Sequence, residues 1–498
     1  MKLKQIKPGV LMKASFGALL SAVLILSSCE APPVNPNFLL IITDDQSWEH
    51  LGCYGDEAVK TPHIDRLALD GVRFENAYTP CPSCSPSRAA ILTGQDAFRL
   101  QEGGVLTGFI REQYALFPAI MAENGYEVGY TGKGYWPFTK DAPGAVNEPI
   151  GKRYDMHRLD TVPEGMSKRD YASNFEQFIK DKEDDSPFFF WLGLGEPHRP
   201  YEKGRGLRIG IDTSLIRIPS FLPDVPVARM DMADYMAELQ WADDVVGEVI
   251  DVLEANGQKE NTVIIFTSDN GMAFPRSKAT LYNHGVRMPL VIAWDAKIKG
   301  MRVVKDPVNL IDLAPTMLEF SHLPVPDQMT GISLVSLLLQ EKSSSPAESR
   351  EFVVSSFEKH THCRPDELGF PRRAIHTEEW TYIVNYEPDR YPMGNFEIRI
   401  PNWDILGETD PGPLKEFVVQ NRLDPEYHQY YDLAFGKVDR EELFNHAEDP
   451  DMMNNLAQNS DYLDIKRQLR AQLTDYLVQN QDPRSEGLSP WDDYRLDK

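Results

Sequence analysis

Cysteine is scarce in this chain, at five in 498 residues. The spacing matches no zinc finger, and no disulfide framework is indicated. Basic residues are also few, 51 Lys and Arg against 76 Asp and Glu, for a net charge of −25. That balance argues against a nucleic-acid-binding surface. No internal repeat or low-complexity tract stands out, which argues against a solenoid or a fibrous protein. Long apolar runs are missing as well: the longest near the start, Ala14 to Leu26, is too short for a comfortable membrane span. What remains is an ordinary globular composition, 42% hydrophobic, with material for a substantial core. The length predicts two domains, or one large α/β domain with an appendage.

The N-terminus reads as an export signal. Lys2, Lys4, Lys7 and Lys13 precede or flank the apolar run, and the first 28 residues hold no acid. The run ends Leu26-Ser27-Ser28-Cys29. This resembles the lipobox of bacterial lipoproteins. The resemblance implies cleavage after residue 28, acylation of Cys29 and a spacer over 29–36. The mature protein would be an exported lipoprotein, touching the membrane only through its lipid anchor.

Beyond the spacer, strands and helices alternate. Phe38 to Thr43 and Phe188 to Leu194 are continuous apolar runs, as expected of strands buried on both faces. Val72 to Tyr78, Tyr126 to Thr131, Thr262 to Thr267 and Pro289 to Trp294 read as further strands. Thr61-Pro62 opens a helix that stops near Gly71, and Phe117 to Asn124 is another. Met232 to Asn256 is the clearest amphipathic helix, with Leu239, Ala242, Val246, Val249 and Leu253 at helical spacing. The pattern predicts an α/β fold, a central sheet between helix layers. After about residue 345 it changes. Short strands near 352–356, 380–385 and 442–444 and a helix over 464–479 suggest a smaller α+β subdomain with a short antiparallel sheet. The expected division is 37–345 and 346–498. Residues 387–436 are rich in Pro, Asp, Tyr and Asn and carry no assigned element.

Four apolar strands end in polar groups: Asp44-Asp45, Gly132-Lys133, Glu196-Pro197-His198 and Asp269-Asn270. Ligands of open α/β sheets bind beyond the carboxyl ends of strands, so these groups point to one site. Asp44, Asp45, Asp269 and Asn270 are hard oxygen donors, suited to Ca²⁺ or Mg²⁺ rather than zinc or copper. Taken alone, Asp44-Asp45 is more commonly a capping loop, and a lone lysine is more commonly a solvated surface charge.

The most informative stretch is Cys84-Ser-Pro-Ser-Arg88 followed by Leu92-Thr-Gly94. Its plain reading is a helix start, with Ser85, Pro86 and Ser87 as capping hydroxyls and an early proline. It also resembles the signature of the formylglycine-dependent sulfatases. That resemblance extends from about Asn37 to Ala457, and the motifs around Cys84, Pro197-His-Arg199 and Asp269 to Pro275 look closest to the heparan N-sulfatase (sulfamidase) subgroup. It implies an alkaline-phosphatase-like α/β fold. A maturation enzyme would convert Cys84 to formylglycine (3-oxoalanine), whose hydrate attacks sulfur. Asp44, Asp45, Asp269, Asn270 and the modified Cys84 would hold calcium, ahead of Mg²⁺. Arg88 would hold the hydrate, Lys133 and Lys278 would bind sulfate oxygens, and His198 would protonate the leaving group.

One position departs from the family pattern. Most members carry histidine two residues after the first lysine, where this chain has Tyr135. The base of the second step is then Tyr135, His198 or a carboxylate.

The expected function is an exported sulfatase acting on oligosaccharides from a sulfated polysaccharide, ulvan-like or a glycosaminoglycan. The alternatives are a heparan N-sulfatase proper, a phosphodiesterase or phosphonate monoester hydrolase of the same superfamily, and a non-catalytic glycan-binding lipoprotein. With an anionic substrate, an acidic protein needs a locally positive pocket.

Overall fold

The computed structural model describes residues 35–135, 142–183, 185–340, 350–400 and 404–494. Cys29 and the expected export signal lie outside them. Nine strands form one sheet: β1 (Asn37–Thr43), β2 (Val72–Tyr78), β3 (Glu127–Gly132), β4 (Lys152–Arg153), β5 (Phe188–Gly193), β6 (Thr262–Ser268), β7 (Arg287–Ala293), β8 (Arg302–Val304) and β9 (Val308–Asn309). Their order is β4-β3-β5-β1-β6-β7-β2-β8, with β9 also paired to β2. β1, β3, β5 and β6 run parallel, whereas β7 is antiparallel to both β6 and β2. The carboxyl ends of β3, β5, β1, β6 and β2 therefore share one edge.

Alternation along β1 explains why its sequence is apolar throughout. Phe38, Leu40 and Ile42 enter one core layer, and Leu39 and Ile41 the other. Helices α1 (Pro62–Asp70), α2 (Cys84–Thr93), α3 (Phe117–Glu123), α4 (Tyr171–Asp181) and α5 (Pro226–Ala255) pack around the sheet. Ala242, Val246, Val249 and Leu253 of α5 lie in the second layer, as their spacing predicts. α5 starts six residues before the expected Met232, because Pro226 occupies the first turn, where its missing N–H costs nothing. α2 is buried along its whole length. It ends at Gly94, whose φ of +62° is the left-handed stop that glycine adopts without strain.

Four further strands, β10 (Val353–Phe357), β11 (Arg372–His376), β12 (Trp380–Asn385) and β13 (Glu441–Asn445), form an antiparallel sheet in chain order. Helix α6 (Leu463–Gln479) lays Leu469, Leu473 and Leu477 on one face of it. Val353, Phe357, Ala374, Ile383 and Phe444 of this sheet join the main core, and Asn35–Lys498 forms one compact unit. The 387–436 stretch, left without elements from sequence, holds helices Pro413–Gln420 and His428–Phe435. Among the described residues Cys53, Cys81, Cys84 and Cys363 are free thiols, and no helix is long and apolar enough to cross a membrane.

A buried histidine ties the two parts together. His284 lies 3.2 Å from Glu49 and 3.0 Å from Asp451. Burial opposes its charge, but Glu49 and Asp451 together raise its pKa above the ordinary value. Its stabilisation is therefore complete below the unfolded value near 6.5 and is lost as pH rises through the higher folded value. His284→Gln is expected to cost about 3 kcal/mol near neutrality. It should also flatten the alkaline fall in melting temperature between about pH 6 and pH 9. Thermal melts across that range check this, and a variant that keeps the wild-type slope contradicts it.

Candidate active site

The shared sheet edge collects the reactive groups because five strands deliver their carboxyl ends to it. β1 ends at Asp44-Asp45, β6 at Asp269-Asn270, β3 at Lys133, β5 just before Glu196-Pro197-His198, and β2 leads into α2. Asp45 is held in the left-handed region at φ 66°, a strained conformation of the kind that clusters at functional sites. Ligand atoms of Asp44, Asp45, Cys84 and Asp269 all lie within 4.8 Å of one another, and all four residues are buried. Cys84 Sγ is 3.4 Å from Asp44 Oδ1 and 3.9 Å from Asp45 Oδ1. Asn270 Nδ2 donates to Asp45 Oδ1 at 2.7 Å, while its Oδ1 is buried without a partner among the described residues. Three carboxylates and an orphaned amide oxygen fit a hard divalent cation.

Each carboxylate also faces a cation. Lys133 pairs with Asp44, Lys278 Nζ donates to Asp45 Oδ2 at 2.8 Å, and Arg88 Nε donates to Asp269 Oδ2 at 2.7 Å. Arg88 Nη2 is buried with no partner among the described residues, a donor left over for a ligand. Burial alone would raise Asp44, but Lys133, His198 and Arg88 hold it far below the usual carboxylate range. Asp269 is pushed up to about 6 by burial and then by Asp44. Burial and the neighbouring Asp44 push the Cys84 thiol well above its ordinary value, so an unmodified thiol here keeps its proton and is a poor nucleophile.

His198 stands on the cavity wall, with its side chain 39% exposed. Its Nδ1 lies 2.6 Å from Arg199 O, so Nδ1 carries the proton and donates there. Nε2 is then directed toward the site, 3.8 Å from Asp45 Oδ2. Tyr135 lines the same cavity but is buried, and its hydroxyl donates to Gly108 O at 3.4 Å. Burial raises the phenol far above its usual range, which makes Tyr135 a poor base. The helix cap does not fall at the expected Ser85 or Ser87, both of which lie inside α2. The N-cap position falls on Ser83, which makes no side-chain cap bond; its Oγ lies 2.7 Å from His360 Nδ1, and Ser87 Oγ lies 2.8 Å from Thr79 Oγ1.

The cavity over Cys84 measures about 650 Å³. Lys133, Arg153, Arg169, Arg199 and Lys278 outnumber its acids, which meets the need for a locally positive pocket in an acidic protein. A slightly larger cleft of about 720 Å³ lies elsewhere, beside Arg302, Trp380 and Gln468, and contains none of these groups. Among the residues on the Cys84 cavity missed from sequence are His360 and Asp410. His360 is held neutral, its pKa down at about 3 through burial and Lys278. Its one local signal was Glu358-Lys-His-Thr-His362 just after a strand.

The fold agrees with comparisons to known proteins. The sulfatase family model matches residues 36–323, and a model of the N-sulphoglucosamine sulphohydrolase C-terminal region matches 276–398. Human N-sulphoglucosamine sulphohydrolase is 27% identical, with 95% of each chain covered. An ulvan-active sulfatase of Formosa agariphila is also 27% identical, over 79% of this chain and 80% of its own. A structure solved with its substrate D-glucosamine-2-N,6-O-disulfate superposes with a TM-score of 0.67 at 19% identity, covering 90% of this chain and 98% of that one. The chain thus belongs to the sulfatase family, as a sulfuric ester hydrolase of the sulfamidase-like subgroup.

Proposed function

We propose that this protein is an exported, lipid-anchored sulfatase that releases sulfate from oligosaccharides of a sulfated polysaccharide, a glycosaminoglycan or an ulvan-like polymer. The observation that carries the reading is the meeting of Cys84 with Asp44, Asp45 and Asp269 within 4.8 Å, each carboxylate backed by a cation. The names of similar proteins support the substrate class: one acts on N-sulphoglucosamine and several are ulvan-active. Anchoring through Cys29 rests on the lysine-rich start and the lipobox-like Leu26-Ser-Ser-Cys29. Both parts of the chain, 37–345 and 346–498, supply residues to the pocket.

Asp44, Asp45, Asp269 and Asn270 would hold a divalent cation, Ca²⁺ ahead of Mg²⁺, which supplies Lewis-acid polarisation of a sulfate oxygen. Converted to formylglycine by a maturation enzyme and hydrated, the side chain at position 84 supplies the nucleophile. Lys133 and Lys278 neutralise the charge that gathers on the sulfate oxygens, and Arg88 Nη2 donates to the group at position 84. His198, its Nδ1–H fixed on Arg199 O, acts as the acid in its doubly protonated form, giving the second proton from Nε2 to the departing oxygen or nitrogen and leaving the neutral ring.

The test is a panel of oligosaccharides from ulvan, heparan and carrageenan, incubated with matured enzyme and scored for free sulfate. Release from at least one sulfated sugar is expected, together with slower release of phosphate from the matching phosphorylated sugar. No sulfate release from any member, or phosphate release that outruns it, contradicts the reading.

A further inference from the structure

Asp410 lies outside every motif discussed so far. It sits in residues 406–412, which have no regular structure yet are fastened at several points. The buried Glu408 carboxylate accepts from His360 N at 2.9 Å, Thr361 N at 2.7 Å and Arg364 Nη2 at 2.6 Å. The Lys415 ammonium donates to the carbonyls of Leu406 and Thr409, at 3.0 and 2.6 Å. Gly412 passes so close to Arg199 that a Cβ there would stand 2.5 Å from Nη1. Arg199 itself is locked by two 2.8 Å bonds to Asp231. Buried ionic groups add little net stability, so stability alone does not account for two of them holding one turn. Positioning does.

What the turn presents is the Asp410 side chain, 19% exposed on the cavity wall. Oδ2 accepts from Lys278 Nζ at 2.8 Å, while Oδ1 has no hydrogen-bond partner among the described residues. The carboxylate, the His198 ring and Asp45 lie within 4.8 Å of one another, which places Asp410 beside the group assigned to the leaving atom. A carboxylate has the wrong charge for a pocket that receives sulfate, and Lys278 already has Asp45 as its partner. The extra anion makes sense if the substrate brings a donor to it.

Resting on the sulfated-sugar reading above, we propose that Asp410 is a specificity residue: its free oxygen accepts a hydrogen bond from an O–H or N–H group on the sugar carbon next to the one bearing the sulfate. The contact selects sugars with a donor at that carbon and rejects those in which it is absent or substituted. It also turns the sugar so that the scissile bond faces His198.

The test uses the full chain carrying Cys84→Ala, which leaves the pocket but removes turnover. It is titrated by calorimetry with D-glucosamine-2-N,6-O-disulfate, with a rhamnose monosulfate and with inorganic sulfate, with and without Asp410→Asn. Asparagine keeps the size and an acceptor for Lys278 but loses the charge. A melting curve confirms folding, and Asp410→Ala repeats the test without the amide's own donor. Sugar affinity is expected to fall about 10- to 100-fold, while inorganic sulfate binds equally or more tightly because a like charge has gone. Beside the N-sulfated carbon of the glucosamine compound, and beside the sulfated carbon of the rhamnose compound, the donors are O–H groups, so loss with either assigns the donor as O–H. Unchanged sugar affinity overturns the inference. Equal weakening of sugar and inorganic sulfate also does, because Asp410 would then merely prop Lys278. If neither sugar binds the Cys84→Ala chain, the sulfated-sugar reading fails and this inference falls with it.

Discussion

Cys84→Ala is expected to lower sulfate release by about four to six orders of magnitude while changing stability by no more than about 2 kcal/mol. The two halves of that result have separate causes. Cys84 opens a buried helix, α2, whose packing is carried by Ala89, Ala90, Ile91 and Leu92. Removing one sulfur atom leaves those contacts in place. The chemistry has no such reserve. Among the described cysteines, Cys84 alone reaches the carboxylate cluster. An unmodified thiol would not serve, because burial and Asp44 keep it protonated. Sulfate-release assays beside thermal melts separate the outcomes. Wild-type rates in the variant contradict the nucleophile assignment, and a collapsed melt means that position 84 is structural.

Chelation is the second large effect. Removing the cation should cut turnover about a thousandfold and lower the melting temperature in the same titration. Asp44, Asp45 and Asp269 are buried and share one site, where burial first and the neighbouring Asp44 second push Asp269 up to about 6. A cation that binds only the folded chain stabilises it by about 2.7 kcal/mol at a concentration one hundred times its dissociation constant. Ca²⁺ should restore both properties better than Mg²⁺, because the cluster offers several protein oxygens, which suits the larger coordination shell of Ca²⁺, whereas Mg²⁺ usually keeps several waters. Activity and melting temperature that both survive thorough chelation contradict a metal at this site.

The parts of this site that were legible in the sequence share one property: they lie at the ends of buried strands. A parallel strand covered on both faces must be apolar throughout, so the first polar residues after it stand out, as in Thr43-Asp44-Asp45 and Ser268-Asp269-Asn270. Register does the rest, since Thr43 pairs with Ser268 and Gly132 with Gly193. Arg88 was legible because four residues on a helix return it to the face of Cys84. Asp410 and His360 were not. They reach the pocket through the second sheet and an irregular turn, and no local period marks either of them. The two short helices in 387–436 were hidden for a related reason. Each has eight residues, and their stability comes from tertiary burial of Leu414, Val418, Ala434 and Phe435 rather than from a long pattern. Tyr135 shows the opposite limit: its place near Lys133 was readable, but the direction of its hydroxyl depends on the distant Gly108 carbonyl.

The account stands on the chemical state of one side chain. Enzyme produced together with a formylglycine-generating maturation enzyme can be digested, treated with an aldehyde-reactive hydrazide and examined by mass spectrometry at the peptide containing Cys84. The predicted result is an aldehyde at position 84 whose occupancy rises in proportion to sulfate release across preparations. Full sulfate release from a preparation in which Cys84 is entirely an intact thiol contradicts it.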